Sequence, residues 1–189
     1  MKKTTFLLLT LFLSLNLFCQ NTSLPKVRLK SVDYQEYFNR DMIGKKFPLA
    51  GLTTLEHKKI DFHALHGHLV FINFWFKGCH ACMNEMPGLE KLYEKYKGSD
   101  VLFVSVSFDK PEVVRAIQQK YGLSYQMVSV DVQTAARVVQ HGYPTSFLID
   151  STGTVVYARS GSKADPGLAT EELMEKFGLR IEALTGKKP

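Results

Sequence analysis

Two cysteines three residues apart, Cys79 and Cys82, lie in the stretch FWFKGCHACMNEMP, residues 74–87, with Glu85 one helical turn further on. Such a pair admits three chemistries: thiol–disulfide exchange, half of a metal site, or a structural disulfide. A bridge across so short a loop constrains the unfolded chain little, which counts against a purely structural role. Position favours exchange. An apolar run ends just before Cys79, and a helical pattern begins there, so Cys79 stands at a helix N-terminus. Unpaired N–H groups and the helix dipole stabilise a thiolate at that end and lower the thiol pKa. Cys82 falls one turn on, on the same face and within bonding reach. An exposed, activated sulfur beside a more buried one suits attack on a disulfide followed by resolution.

The neighbours sort by what they could add. His80, between the cysteines, is read as modulating: an imidazolium beside Cys79 would favour the thiolate and bias the pair toward its reduced form. The alternative is a solvated side chain. Glu85 can point back toward Cys82, where a partly buried carboxylate takes up or supplies a thiol proton; the alternative is an exposed helix acid. Pro87 removes a helix hydrogen bond, a structural role.

The elements that position these residues alternate from about residue 47. Leu69–Phe76 is a continuous apolar run, suited to a strand buried on both faces. Residues 80–97 form a helix with Leu89, Leu92, Tyr93 and Tyr96 on one stripe, ended by Gly98. Val101–Phe108 is a second buried strand. Pro111 opens a helix that Gly122 closes, with Val114, Ile117 and Tyr121 inward. Tyr125–Val130 is a short edge strand, and residues 132–140 a short helix. Thr145–Asp150 and Thr154–Arg159 flank Ser151-Thr152-Gly153 as a β-hairpin. A last amphipathic helix carries Leu173, Phe177, Ile181 and Leu184. This order predicts an α/β fold with a central mixed sheet and helices on both faces.

The N-terminus reads as a targeting segment. Lys2 and Lys3 precede a nearly unbroken apolar run from Phe6 to Phe18, shorter than the ~20 residues a membrane span needs. Residues 1–19 are therefore expected to be a secretory signal peptide. Cleavage before Gln20 is preferred; acylation of Cys19 would make a lipoprotein, but bulky Phe18 fits that poorly. Residues 20–42 are an extension with little certain structure, and 43–189 the folded domain. Without residues 1–19, Lys plus Arg falls from 24 to 22 while Asp plus Glu stays at 18, so net charge falls from +6 to +4. That excess is spread along the chain and makes no case for nucleic acid. An exported chain left with a single close cysteine pair is not a disulfide-stapled scaffold.

The linked set Ile43-Gly44-Lys45, Asn73-Phe74-Trp75, Cys79-x-x-Cys82, Glu85, Pro87 and Gly142-Tyr143-Pro144-Thr145 followed by FLID resembles the thioredoxin superfamily. Within it the set is similar to the exported TlpA/ResA-like thiol–disulfide oxidoreductases, over about residues 43–185. The resemblance implies a thioredoxin-like fold and a redox-active disulfide in which Cys79 attacks and Cys82 resolves. It makes Pro144 the cis-proline that faces the dithiol, with Trp75, Tyr143, Pro144 and Thr145 as substrate-binding residues. Glu85 matches the acid this branch carries after its second cysteine. Asn73 occupies the strand position where cytosolic thioredoxins have a buried aspartate. Gly78 departs from the tryptophan common before the first cysteine, and His80-Ala81 from dipeptides that often end in proline. The implied partners are protein disulfides and dithiols, with a membrane electron donor. The implied location is periplasmic or otherwise extracytoplasmic, with cytochrome c maturation as a pathway.

Two other classes compete. A copper or metal chaperone on the same fold would add His141 to the two thiolates, although the family's copper carriers space their cysteines differently. A zinc finger would need a second CxxC. His63, His66 and His68 read as the turn into the first buried strand. A thiol peroxidase is the third reading, but it normally places its cysteine after a threonine-rich turn that is absent here. No small-molecule cofactor or resident metal is expected.

Overall fold

The apolar run Leu69–Trp75 forms β1 and is buried along its whole length, as a strand covered on both faces must be. It is the centre of a five-stranded sheet of order β3-β2-β1-β4-β5. The computed structural model describes residues 34–48 and 67–186. Strands β2 (Val101–Ser107) and β3 (Gln126–Ser129) continue the sheet in parallel on one side of β1. Strands β4 (Thr145–Ile149) and β5 (Val155–Ser160) add an antiparallel hairpin on the other. Gly153 takes φ 79° in the hairpin turn, a conformation that costs glycine nothing. The fold is thus the α/β mixed sheet that the strand and helix order predicts.

Side chains alternate along each strand, so β1 feeds two cores. Leu69, Phe71 and Trp75 pack with Leu89 and Leu92 of α2 (His80–Tyr96) and with Val114 of α3 (Pro111–Tyr121). The C-terminal helices α5 (Pro166–Leu173) and α6 (Leu179–Thr185) complete that face through Leu173 and Ile181. Val70, Ile72 and Phe74 face the other way, toward Phe38 of α1 (Tyr34–Met42) and Val138 of α4 (Val132–Val138). Helices therefore cover both faces.

Two details depart from the sequence reading. Residues 34–42 are helical where little structure was expected: Phe38 is buried, and Gln35 Nε2 donates to Ala158 O on β5 at 2.8 Å. A π turn, Met174–Gly178, joins α5 to α6. It keeps Leu173, Phe177 and Ile181 in the core at spacings of four, and leaves Leu184, three residues on, half-exposed; the wider turn shifts the phase of the apolar stripe. Gly88 lets α2 and α5 pass close to one another, since a Cβ there would lie 2.9 Å from Thr170 Cα.

Candidate active site

The chain leaves β1 at Trp75 and reaches α2 through a four-residue loop that local hydrogen bonds hold. The Cys79 N–H donates to Phe76 O at 3.0 Å, and the Lys77 N–H to Asp109 Oδ2 at 2.6 Å. Ser107 Oγ donates to the same carboxylate at 2.9 Å, tying the loop to the end of β2. Cys79 is the N-cap of α2, and its Sγ accepts from the Cys82 N–H at 3.1 Å. A cap atom satisfies one of the orphan N–H groups at a helix start. Once reduced, that sulfur therefore sits where negative charge is favoured. Cys79 and Cys82 form a disulfide. Cys82 is fully buried, and Cys79, expected to be exposed, retains 8%. The asymmetry has the expected sense but is smaller: both cysteines belong to the buried core cluster against which Phe76 and Tyr143 pack.

Glu85, one turn beyond Cys82, is 1% exposed, more deeply buried than the partly buried acid expected from sequence. Asn73 Nδ2 donates to Glu85 Oε1 at 3.0 Å and to Ser146 Oγ at 2.9 Å. The other carboxylate oxygen, Oε2, lies 3.7 Å from Arg159 Nη1 and has no hydrogen-bond partner among the described residues. Burial pushes the Glu85 carboxyl up to about 7, against the opposing pull of Arg159. Ser162 and Asn73 also favour the charged form, although the Ser162 hydroxyl falls short of hydrogen-bond geometry. A carboxyl that changes charge near neutrality is suited to exchanging a proton with a thiol.

The residues that hold Glu85 form a row across the sheet. Asn73 pairs in register with Ser105 on β2 and Ser146 on β4, and Ser146 pairs with Arg159 on β5. All four are buried, and in-register partners share a face. Arg159 and Ser146 escaped the sequence reading. Their signal was one polar residue at an inward position of each strand, at matching rows; a single strand gives no means of matching rows.

The loop before β4 closes the other side. The Tyr143–Pro144 peptide is cis, as the resemblance implied. Thr145 Oγ1 donates to Gly142 O at 2.6 Å, and the Tyr34 hydroxyl of α1 donates to His141 O at 2.6 Å. Of the four residues expected on a substrate surface, Trp75, Pro144 and Thr145 are buried. Trp75 is enclosed in the core on the α2 side of the sheet, and Thr145, in register with Phe74 on the other face, turns its hydroxyl to the loop's own Gly142 O. Tyr143 is half-buried and packs edge-on to Phe76 at 5.3 Å, while Phe76 stacks on Phe108 at 5.2 Å. This trio, unforeseen from sequence, stands where Gly78 omits the family's tryptophan: a Cβ on Gly78 would lie 3.0 Å from the Phe76 ring. His80 is exposed.

The residues of the metal reading do not converge on the sulfurs. His141 Nε2 lies 3.1 Å from Asp41 Oδ2, and its ring is edge-on to Phe38 at 4.9 Å. Among the described residues no group of three His, Cys, Asp or Glu could hold a metal ion. His68 pairs with Asp100. Residues 1–19, with the expected signal peptide and Cys19, lie outside the described residues, as do His63 and His66.

The model of the AhpC/TSA family matches residues 43–158. The chain belongs to the AhpC/TSA family. Within this family it is 34% identical over 156 residues to the thiol-disulfide oxidoreductase ResA of Bacillus cereus, an alignment covering 78% of this chain and 85% of that one. It is 38% identical over 153 residues to the ResA of Bacillus anthracis, with the same coverage of both chains. A solved thiol:disulfide interchange protein from a Bacteroides species superposes with TM-score 0.62, over 77% of this chain and 91% of that one, at 21% identity. By these likenesses the chain is a thiol–disulfide oxidoreductase of thioredoxin-like fold.

Proposed function

We propose that this oxidoreductase works outside the cytoplasm as a reductase of protein disulfides, through Cys79 and Cys82, with Glu85 as the proton acceptor for Cys82. The observation that carries this reading is the pairing of a helix-capping cysteine disulfide with a fully buried carboxyl one turn away that titrates near neutrality. In the reduced protein the Cys79 thiolate attacks a substrate disulfide. A mixed disulfide forms, and one substrate thiolate leaves. Cys82 then passes its proton to Glu85, and its thiolate attacks Cys79 Sγ. The second substrate thiolate leaves, and the protein is oxidised by two electrons. The substrate thiolates take their protons from solvent. Each turnover consumes the dithiol, so we include a membrane electron donor that restores it.

The half-buried trio Phe76, Phe108 and Tyr143 offers an apolar seat for the bound segment beside the cis-Pro144 loop. Trp75 and Thr145 support that seat from within. His80, exposed between the cysteines, tunes the pair electrostatically. The apolar run of residues 6–18 supports export, with cleavage before Gln20 or acylation at Cys19 deciding between a free and an anchored form. Cytochrome c maturation is the pathway we propose, with the disulfide of a haem-attachment CxxCH segment as substrate.

The test is the equilibrium midpoint of the cysteine pair titrated against glutathione, together with insulin reduction. A midpoint near about −270 mV, with activity lost in both Cys79→Ser and Cys82→Ser, is expected of a reductase. A midpoint near about −120 mV would make the protein an oxidant and overturn the direction. Activity surviving in both variants would overturn the role of the pair.

A further inference from the structure

Arg159 divides its guanidinium between two carboxylates. Nη1 lies 3.7 Å from Glu85 Oε2, and Nη2 donates to Glu172 Oε2 at 3.1 Å. Exposure rises along this chain of three, from 1% at Glu85 through 5% at Arg159 to 22% at Glu172. A cleft of about 290 Å³, lined by Tyr157, Arg159, Ser162, Glu172 and Lys176 among others, opens beside it. Arg159 is placed by the antiparallel register of β5, and Glu172 by the close passage of α5 over α2 at Gly88. One buried cation is thus held by one acid that water reaches and faces a second that water does not.

We propose that Arg159 and Glu172 are positioning residues that set the pH at which Glu85 accepts the Cys82 proton. The inference rests on the role proposed for Glu85. A cation within about 4 Å favours the charged carboxylate, and a nearby anion opposes it. Glu172 acts twice in the same direction: its own charge disfavours ionisation of Glu85, and it draws Arg159 away. Apart from Cys82, whose proton it takes in the reduced protein, the remaining groups that face Glu85 do not carry charge near neutrality. Asn73, Ser146 and Ser162 are neutral, and the Tyr125 phenol is held far above its ordinary range by burial. Lys176, in the same cleft, donates to Glu175 at 2.8 Å. Against the constant upward push of burial, the adjustable part of the Glu85 titration is therefore the share of Arg159 it receives.

The experiment measures Glu85 titration by carbon-13 carboxyl NMR and the pH profile of insulin reduction, in the whole chain and in Arg159→Met, Arg159→Lys, Glu172→Gln and Glu85→Gln. Removing the cation should move the Glu85 midpoint and the activity limb up by about one pH unit or more, and removing Glu172 should move both down. Arg159→Lys should stay near the parent. Opposite displacements cannot come from a general loosening of the fold, which would move both variants the same way. If Glu85→Gln leaves the pH profile unchanged, the role proposed for Glu85 fails. If Glu85→Gln removes the limb while Glu172→Gln does not lower it, the assignment of Arg159 and Glu172 fails and the role of Glu85 stands. Should Arg159→Met not fold, Glu172→Gln and Arg159→Lys decide alone.

Discussion

The two faces of this sheet are built from the same five strands and do different work. On one face Val70, Ile72 and Phe74 of β1 meet Val104, Val106, Phe147, Ile149 and Ala158, and the surface is apolar until Thr145 and Ser160 at the end beside Pro144. On the other, the apolar rows are crossed by Ser105, Asn73, Ser146 and Arg159, which lie under Glu85. The apolar face gains stability from burial alone. The polar row gains its stability only if every member is paired, because a buried polar group without a partner is costly. Confining the polar atoms around the acid to one row leaves most of the core to hold the sheet while that row holds a titratable acid.

The difference can be broken from either side. The largest loss of stability is expected on the apolar face. Phe147 is fully buried and packs against Phe38, Phe47 and Phe74. Phe147→Ala should cost about 3–5 kcal/mol in denaturant unfolding, with no dependence on pH. A pH-dependent loss would mean that the two faces are coupled.

Glu85→Gln tests the polar face and should act with the opposite sign. The Glu85 carboxyl is raised from 4.5 to about 7 in the folded protein. Below pH 4.5 folded and unfolded chains both hold the proton, so charge contributes nothing. Between 4.5 and 7 the unfolded chain loses its proton first, so the wild type loses stability as pH rises. Above 7 the full penalty applies, about 3 kcal/mol for that displacement. The stability of Glu85→Gln relative to the parent should therefore rise by up to about 3 kcal/mol from pH 4 to pH 8. A difference that is flat with pH would show that the acid is not held in its neutral form by burial.

The smallest effect sharpens the comparison at the helix layer. Gly88→Ala places a methyl against the backbone of α5 and should cost about 1–3 kcal/mol by overpacking. It should also move Glu172 and shift the pH profile of activity. An overpacking substitution on the apolar face, such as Ala158→Val, should lower stability and leave that profile in place.

Much of this was legible in the sequence because it is written in local patterns. Cys79, Cys82 and Glu85 are spaced by single helical turns, so one helix puts them together whatever else the chain does. Pro111 and Gly122 bound α3, with Gly122 closing it in the left-handed conformation, φ 63°. The hairpin over Ser151-Thr152-Gly153 follows from turn chemistry. The cis-proline, and the attacking role proposed for Cys79, came from likeness to a family, since neither a peptide isomer nor a nucleophile is encoded by spacing alone.

Only the tertiary structure decided the surroundings of the acid. Arg159 is the last but one residue of β5 and Glu172 the last but one of α5, and neither pattern distinguishes them from surface charges. Antiparallel register brought the first beside Ser146, and a glycine contact between two helices brought the second within reach. Burial of Trp75 and Thr145, and the placing of Phe76 where Gly78 leaves room, were decided the same way. The sequence by itself determined the dithiol, the helix that carries it and the strands that bury it, because these depend on neighbours within a turn or two. The charges that act on Glu85, Arg159 and Glu172, stand more than 70 residues away, at distances set by packing and register.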